Sequence, residues 1–261
     1  MRKYFQIVFI LLLFSNYSFA KTKEIILTSL DWEPYIGEKL HNNGPLAEIL
    51  KRAFELEGYE LKIIFYPWIR AVNEAEKAHD GIDGYFPEYY DKSKEVNFIF
   101  SESFFESEVG FLINKNKINT INYKYDKNNL NNTYSKMYNL KFGVVRGYIN
   151  EEKFDANKNL KKIESVSDEK NLMMLDEGNV DAVMIDKHVA DYYLKNNPDL
   201  LFTRNKFVFL TPPIYIHKLF VAWSKSGSDV NDKIKILNNG LEKLKKSGEI
   251  LKMLKKHDIF N

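Results

Sequence analysis

In the first third of the chain, segments whose apolar residues have the spacing of a strand alternate with segments whose apolar residues have the spacing of a helix. The pattern predicts strands at residues 23–30, 61–65 and 82–86, separated by helices at residues 46–56 and 69–78. Strands that alternate with helices in this way favour a mainly parallel sheet covered by helices.

A second series of alternating predicted strands and helices follows a polar, Asn-rich stretch at residues 114–139. Ser167 is placed to cap a helix that ends at Gly178, where glycine favours a helix stop. The remaining predicted elements are strands at residues 142–145, 160–166 and 180–185 and helices at residues 150–154 and 188–195. The repeated architecture predicts two α/β lobes of roughly 100 residues each.

The last fifty residues predict a return to the first lobe. Residues 207–223 are extended and apolar, and two amphipathic helices follow them, one centred on Leu241 and one on Leu254. Two strands, near residues 109–113 and 210–220, would then cross between the lobes and form a hinge. The predicted organisation is a leader at 1–20, a first lobe at 21–112 plus 210–261, and a second lobe at 113–209.

The first twenty residues have the three-part pattern of a secretory signal peptide. Arg2 and Lys3 precede an apolar run that is too short to span a bilayer, and Ala20 closes a small-residue cleavage site. The alternative is a membrane anchor. The chain contains no cysteine, which excludes disulfides and a lipid-modified cysteine. These features predict a soluble periplasmic protein.

Charge and motifs narrow the function further. The chain has 38 Lys and Arg against 36 Asp and Glu, and two of the basic residues belong to the leader, so the mature protein is electrically balanced. Nucleic-acid binding through phosphates normally needs clustered positive charge, and we expect none here. The five histidines lie far apart, and no nucleophile elbow or phosphate-binding glycine loop occurs. We therefore expect no catalytic residue, no metal and no cofactor.

Several aromatic and charged residues follow the ends of predicted strands, where open α/β sheets bind ligands. They include Trp32, Trp68 and Asp186, and Glu88 with Tyr89 in a cluster after the third strand. Each also has a structural alternative. The tryptophans could be packing residues, Asp186 could cap the next helix through the amides of His188 and Val189, and the Glu88 cluster could be an exposed loop.

The chain resembles the type II periplasmic binding proteins of the family-3 extracellular solute-binding class, which serve polar amino-acid transporters. The segments that carry the resemblance, in order, are Asp31-Trp32-Glu33-Pro34-Tyr35, Gly44-Pro45, Pro67-Trp68-Ile69-Arg70-Ala71, Gly81-Ile82-Asp83-Gly84, Phe98-Ile99-Phe100-Ser101, Phe142-Gly143-Val144-Val145-Arg146-Gly147 and Gly178-Asn179-Val180-Asp181-Ala182-Val183. The resemblance spans the whole mature chain and implies two lobes around a ligand cleft.

The resemblance also implies roles for single residues. Trp32 matches an aromatic residue that covers the ligand, and Trp68 matches an apolar wall of the cleft. The segment at residues 87–90, with Glu88 and Tyr89, matches a loop that receives the ligand's polar head. In the second lobe, Arg146 and Tyr148 match the turn that helps hold a carboxylate. Asp186 matches the acid that pairs with an α-amino group.

One position departs from the family pattern. Amino-acid binders usually place an arginine shortly before the Phe-Ser pair, where its planar fork grips an α-carboxylate, and this chain offers Lys94. A lysine is a point charge and does not reproduce that geometry. The ligand is then an amino acid held by Arg70 or Arg146, or a different polar solute.

These observations predict a periplasmic, monomeric solute-binding component of an ABC-type uptake system. It would bind a small, amino-acid-like solute by hinge closure and meet a membrane permease transiently. The first alternative is an enzyme on the same scaffold, similar to cyclohexadienyl dehydratases, with Glu88 or Asp186 as general acid. The second is a sensor that reports to a separate membrane partner.

Overall fold

The computed structural model describes residues 23–257, so the predicted leader lies outside the described residues. The strands are β1 Lys23–Ser29, β2 Tyr59–Phe65, β3 Gly84–Tyr89, β4 Phe98–Phe100, β5 Phe105–Asn114, β6 Lys141–Val145, β7 Lys161–Ser165, β8 Ala182–Asp186, β9 Phe207–Phe209 and β10 Tyr215–Ser224. The helices are α1 Pro45–Glu55, α2 Trp68–Glu76, α3 Leu130–Ser135, α4 Glu152–Ala156, α5 Asp168–Asp176, α6 Lys187–Asn196, α7 Val230–Ser247 and α8 Glu249–Lys256.

The strands form one sheet in the order β2-β1-β3-β10-β5-β8-β6-β7, with β4 paired to β10 and β9 paired to β5. At one end β1 lies parallel to β2 and β3, and at the other end β6 lies parallel to β7 and β8. The structure therefore has two parallel groups of strands, as the alternating pattern predicts, and two long antiparallel strands join them.

The two joining strands change partners halfway along their length. The first part of β10 pairs with β5 between Tyr215 and Leu219, and its second part pairs with β3 and β4. The first part of β5 pairs with β10, and its second part pairs with β8 and β9. We call β1–β4 with α1, α2, α7 and α8 the first half, and β6–β9 with α3–α6 the second half. The predicted lobe boundaries at residues 112 and 210 stay a prediction.

The C-terminal helices α7 and α8 pack against α1. Arg52 on α1 contacts Glu249 on α8, with 3.2 Å between Nε and Oε2. On α7, a Cβ added to Gly240 would lie 2.1 Å from the backbone oxygen of Ala53 on α1. Glycine is therefore the residue that allows these two helices to approach so closely.

One buried apolar cluster runs from Ile25 in the first half to Phe142 in the second half. A smaller cluster around Tyr85 and Phe98 lies under α2, between that helix and the sheet. The continuous cluster shows that the two halves are in contact with each other.

Two elements differ from the sequence prediction. β3 continues to Tyr89, so Glu88 and Tyr89 are buried strand residues and not an exposed loop. The Asn-rich stretch contains the helix α3, which Asn129 caps by accepting a hydrogen bond from the amide of Asn131. Six helical residues are too few to show a clear apolar period, which explains why the pattern missed this helix. Within residues 23–257, no helix has the length and apolar character needed to cross a bilayer.

Candidate functional site

A cavity lies where the two halves meet. The empty space between its walls, including the solvent at its open mouth, is about 320 Å³. The lining residues are Leu30, Trp32, Trp68, Pro87, Glu88 and Tyr89 from the first half, Tyr148 and Ile149 from the second half, and Leu219 from β10. Five of the nine predicted site residues line this cavity: Trp32, Trp68, Glu88, Tyr89 and Tyr148.

Trp32 is held by a tight turn directly after β1. Its amide donates to the carbonyl of Ile36 at 2.8 Å, and its ring lies 4.8 Å from the ring of Tyr35 and 6.1 Å from that of Tyr89. The indole is 6% exposed. A tryptophan this well buried and this tightly packed has a fixed orientation at the cavity wall.

Glu88 and Lys94 form an ion pair beside the cavity. Lys94 Nζ lies 3.3 Å from Glu88 Oε2, which also accepts a hydrogen bond of 2.7 Å from the hydroxyl of Tyr85. Burial raises the pKa of Glu88, and the charge of Lys94 opposes that rise. The predicted cation Lys94 is thus placed close to the cavity, but its charge is engaged by a buried carboxylate.

Tyr89 joins the cavity to the paired strands. Its hydroxyl is 2.8 Å from Ser107 Oγ on β5, and its ring stacks on His217 of β10 with 4.1 Å between ring centres. The His217 ring in turn hydrogen-bonds to the carbonyl of Asn150 in the second half. Burial lowers the pKa of His217 to about 4. The imidazole is therefore neutral at physiological pH.

Within residues 23–257, we note three hydrogen bonds that connect the two halves around the cavity. Trp68 Nε1 donates to the carbonyl of Gly147 at 3.1 Å. The Tyr35 hydroxyl donates to Asp186 Oδ1 at 3.0 Å, and the Tyr193 hydroxyl donates to Glu33 Oε2 at 2.8 Å. Each bond pairs a residue next to the cavity in one half with a partner in the other half.

Asp186 ends β8 and caps α6. Its Oδ1 accepts hydrogen bonds from the amides of His188 at 2.9 Å and Val189 at 3.1 Å, as the structural alternative predicts. It also accepts the bond from Tyr35, so this one carboxylate serves the helix and the contact between halves. Burial raises the pKa of Asp186 to about 6, although the Val189 amide and the nearby His188 lower it.

Asp168, the first residue of α5, is a buried carboxyl that sequence reasoning missed. It is 4% exposed, and the polar hydrogens of Tyr148 and Trp32, two cavity-lining residues from opposite halves, act on its carboxyl and lower its pKa. Burial raises the pKa of Asp168 to about 7, and the charge of Asp186 adds to this rise. Its sequence position, directly after a capping serine, is typical of a solvated first-turn acid, so the sequence carried no signal of its burial.

The two predicted arginines lie away from the cavity. Arg70 is 60% exposed, stacks 4.3 Å above the ring of Tyr66 and approaches Glu74 at 3.6 Å. Arg146 is also 60% exposed and pairs with Glu164 at 2.9 Å. Their roles as a carboxylate fork stay a prediction. Among the described residues, no group of three or more histidines and carboxylates is arranged to hold a metal ion.

The arrangement is suited to enclosing a small polar solute. Aromatic rings from both halves form the walls, and buried carboxyls with unusual pKa values lie next to them. Such a combination of an apolar, concave wall with a few convergent polar groups is typical of small-molecule sites.

Comparisons with solved structures identify the fold. The chain is similar to the substrate-binding protein of an amino acid ABC transporter from Streptococcus pneumoniae bound to L-arginine, with a TM-score of 0.69, 19% identity and coverage of 90% of this chain and 94% of the other. It is similar to the GluR0 ligand-binding core from Nostoc punctiforme in complex with (L)-glutamate, with a TM-score of 0.68, 15% identity and coverage of 89% and 98%.

A third similar structure is a histidine kinase sensor domain that resembles periplasmic binding proteins, with a TM-score of 0.71, 14% identity and coverage of 89% and 95%. No protein-family model and no curated protein matches the chain by sequence. At these low identities the likeness establishes the fold. The chain has the two-lobed fold of the periplasmic binding proteins, as the resemblance in its sequence implies.

Proposed function

We propose that the chain is the periplasmic solute-binding component of an ABC-type uptake system. It captures a small polar solute, similar in size to an amino acid, between its two halves and converts nothing. The solute would bind to one half of an open protein, and contacts from the other half would then favour the closed form that a membrane permease recognises.

The observation that carries this proposal is the composition of the cavity wall. Trp68 in the first half donates a hydrogen bond to the carbonyl of Gly147 in the second half, and Trp32 and Tyr148, from opposite halves, both act on the carboxyl of Asp168. A solute in this cavity would touch both halves at once. It would bind the closed form more tightly than the open form, and that differential affinity is what drives closure.

The link to transport and to the periplasm is supported by the structural neighbours and by the leader. Several neighbours are substrate-binding proteins of amino acid ABC transporters. The leader pattern at residues 1–20 is that of an exported protein. We accordingly propose a monomer that meets a permease only when closed.

A sensory role is the second candidate, because a histidine kinase sensor domain shares the fold. Both roles use the same closing cleft and differ in the partner that reads it. Co-purification from membranes in the presence of solute separates them, since a permease partner supports transport and a kinase partner supports sensing.

The test is a thermal-shift screen against amino acids, small peptides, amines and organic acids, followed by recovery of the bound solute. A solute at one hundred times its Kd raises stability by roughly 2.7 kcal/mol, which is easily measured as a rise in melting temperature. We expect a rise with one chemical class and recovery of that solute unchanged. A flat response across all classes contradicts the proposal, and recovery of a converted product supports an enzyme instead.

A further inference from the structure

The wall of the cavity consists almost entirely of aromatic rings and other apolar side chains. Eight of its nine lining residues are aromatic or apolar, and four of these eight are Trp32, Trp68, Tyr89 and Tyr148. The ninth is Glu88, and the lining residues among positions 23–257 include no lysine or arginine. Such a wall offers a solute a large apolar surface and few groups that could bind a charge.

The polar atoms of the four rings are already engaged within the protein. Trp68 Nε1 donates to the Gly147 carbonyl at 3.1 Å, the Tyr89 hydroxyl lies 2.8 Å from Ser107 Oγ, and Trp32 and Tyr148 both act on the Asp168 carboxyl. These contacts leave mainly the faces and edges of the rings for a solute.

The one charged residue in the wall is compensated by the protein itself. Glu88 accepts a hydrogen bond of 2.7 Å from the Tyr85 hydroxyl and pairs with Lys94 at 3.3 Å. The buried carboxyls of Asp168 and Asp186 do not belong to the lining residues. A charged group of a solute would therefore find no unpaired opposite charge in the part of the wall formed by residues 23–257.

An aromatic ring suits this wall better than a charge does. A charge that leaves water without gaining a partner is strongly disfavoured. A ring, in contrast, displaces water from apolar surface and packs against other rings in offset or edge-to-face contact. The wall already contains two such contacts, because Trp32 and Tyr89 lie 6.1 Å apart with 79° between their planes, and Trp68 and Tyr148 lie 6.1 Å apart with 86°.

We propose that the solute carries an aromatic ring, which enters the cavity, and that solutes with a charged group in place of the ring are rejected. The inference rests on the proposed function, because it assigns the body of the solute that binds in the same cleft. The polar head of the solute would stay at the open mouth, where water solvates it. Arylalkyl amino acids, amines and acids fit this description, whereas diamino and dicarboxylic solutes of similar length do not.

The test is isothermal titration of the wild-type protein with matched probes that share a head group. Phenylalanine is compared with ornithine and glutamate, phenethylamine with putrescine, 3-phenylpropionate with glutarate, and alanylphenylalanine with alanylglutamate. Each comparison replaces the ring by a charged group. In the class that binds, we expect the ring-bearing probe to bind at least tenfold more tightly than each charged counterpart.

The other outcomes separate this inference from the proposed function. Equal or tighter binding of a charged counterpart overturns the inference but leaves the proposed function intact, because a solute still binds. Absence of binding by every probe overturns the inference, and the thermal-shift screen then decides the proposed function by itself.

A substitution in the wall tests where the ring binds. Ile149 lines the cavity and is half-buried, and Ile149→Asn would place an amide against the ring. We expect this variant to weaken binding of the best ring-bearing probe at least fivefold, because the amide must lose its water without gaining a partner. Ile149→Leu, which has nearly the same shape as the Asn variant but keeps the wall apolar, should bind as the wild type does.

Ile118→Asn is the second control, because it makes the same change at an exposed isoleucine outside the cavity wall. It should leave the affinity unchanged. Unchanged affinity in a folded Ile149→Asn protein overturns the placement of the ring against this wall. The wild-type titration tests the solute class should the variant not fold.

Discussion

Burial changes the protonation of the individual carboxyl groups at this site. Asp168, Asp186 and Glu88 are all buried, and burial raises the pKa of each of them. Of these three carboxyls, Glu88 is the one that forms an ion pair with Lys94. Charge at this site therefore depends on pH and on what occupies the cavity, in a way that surface carboxylates do not show.

The buried Asp168 predicts a pH-dependent stability with a definite sign. The folded protein keeps the Asp168 proton up to about pH 7, whereas the unfolded chain loses it near the ordinary value of 3.8. Its contribution is therefore present at low pH and is lost as the pH rises through 7. When the pH is raised from 5 to 8, we expect the unfolding free energy of the wild type to fall by about 2 kcal/mol more than that of Asp168→Asn, measured by urea denaturation.

The lowered pKa of His217 makes the unfolding free energy rise with pH, which is opposite in sign to the effect of Asp168. Both proteins contain His217, so its effect cancels in the comparison. Asp191→Asn, which alters an exposed carboxylate on α6, should follow the wild-type profile. An Asp168→Asn protein that differs from the wild type by the same amount at both pH values would show that the carboxyl does not titrate as described.

The Glu88–Lys94 pair predicts a non-additive pair of substitutions. Lys94→Met leaves Glu88 buried without its cation, and we expect a loss of roughly 3 kcal/mol in unfolding free energy at pH 7. The double variant Glu88→Gln with Lys94→Met removes both charges and should recover most of that loss. Lys92→Met, an exposed lysine in the same turn, serves as the control. Equal losses in the single and double variants would contradict a compensating ion pair.

At the scale of elements, the sequence predicted most of the fold because its periods are clear. The strands and helices of both halves follow from apolar spacing, and Ser167 caps α5 by accepting from the amide of Lys170 as expected. The site was less accessible to sequence reasoning. Trp32 and Trp68 were predicted from their positions after strand ends and both line the cavity, whereas Asp168 is buried in contact with Trp32, which lies far away in the chain.

The short elements were missed for a related reason. Six residues of α3 carry too little periodicity, and the predicted third strand ended at residue 86, whereas β3 continues through Pro87 to Tyr89. In each case, the structure is fixed by contacts that lie outside the local window. Tyr89, for example, lies with its hydroxyl 2.8 Å from Ser107 on β5 and with its ring stacked on His217 of β10.

The close contact between α1 and α7 predicts that adding a single methyl group at Gly240 lowers the stability of the protein. Gly→Ala inside a helix normally adds up to about 1 kcal/mol of stability, but at Gly240 the new Cβ would overlap the backbone of Ala53. We therefore expect Gly240→Ala to destabilise the protein by about 1–3 kcal/mol, measured by urea denaturation. Gly227→Ala, where the nearest atom is 3.4 Å from the new Cβ, should be nearly neutral. A stabilised Gly240→Ala protein would mean that the helices do not approach so closely.

For the whole molecule, the central feature is that two halves share one cavity and are connected by two strands. β5 and β10 each pair with both halves, so a bend in these strands would separate the halves without breaking either parallel group. The three hydrogen bonds across the cavity would break in such an opening. The solute is expected to supply the contacts that keep the halves closed.

The most direct test measures the distance between the halves with and without solute. The chain has no native cysteine, so spin labels can be attached at Asn73→Cys on α2 and Lys153→Cys on α4, two exposed positions in opposite halves. Labels at Asn73→Cys and Lys252→Cys, both within the first half, give the control distance. We predict that the solute with the largest thermal shift makes the distance between halves shorter and more uniform and leaves the control unchanged. A distance between halves that stays the same while calorimetry shows the solute bound would contradict closure of the cleft around it.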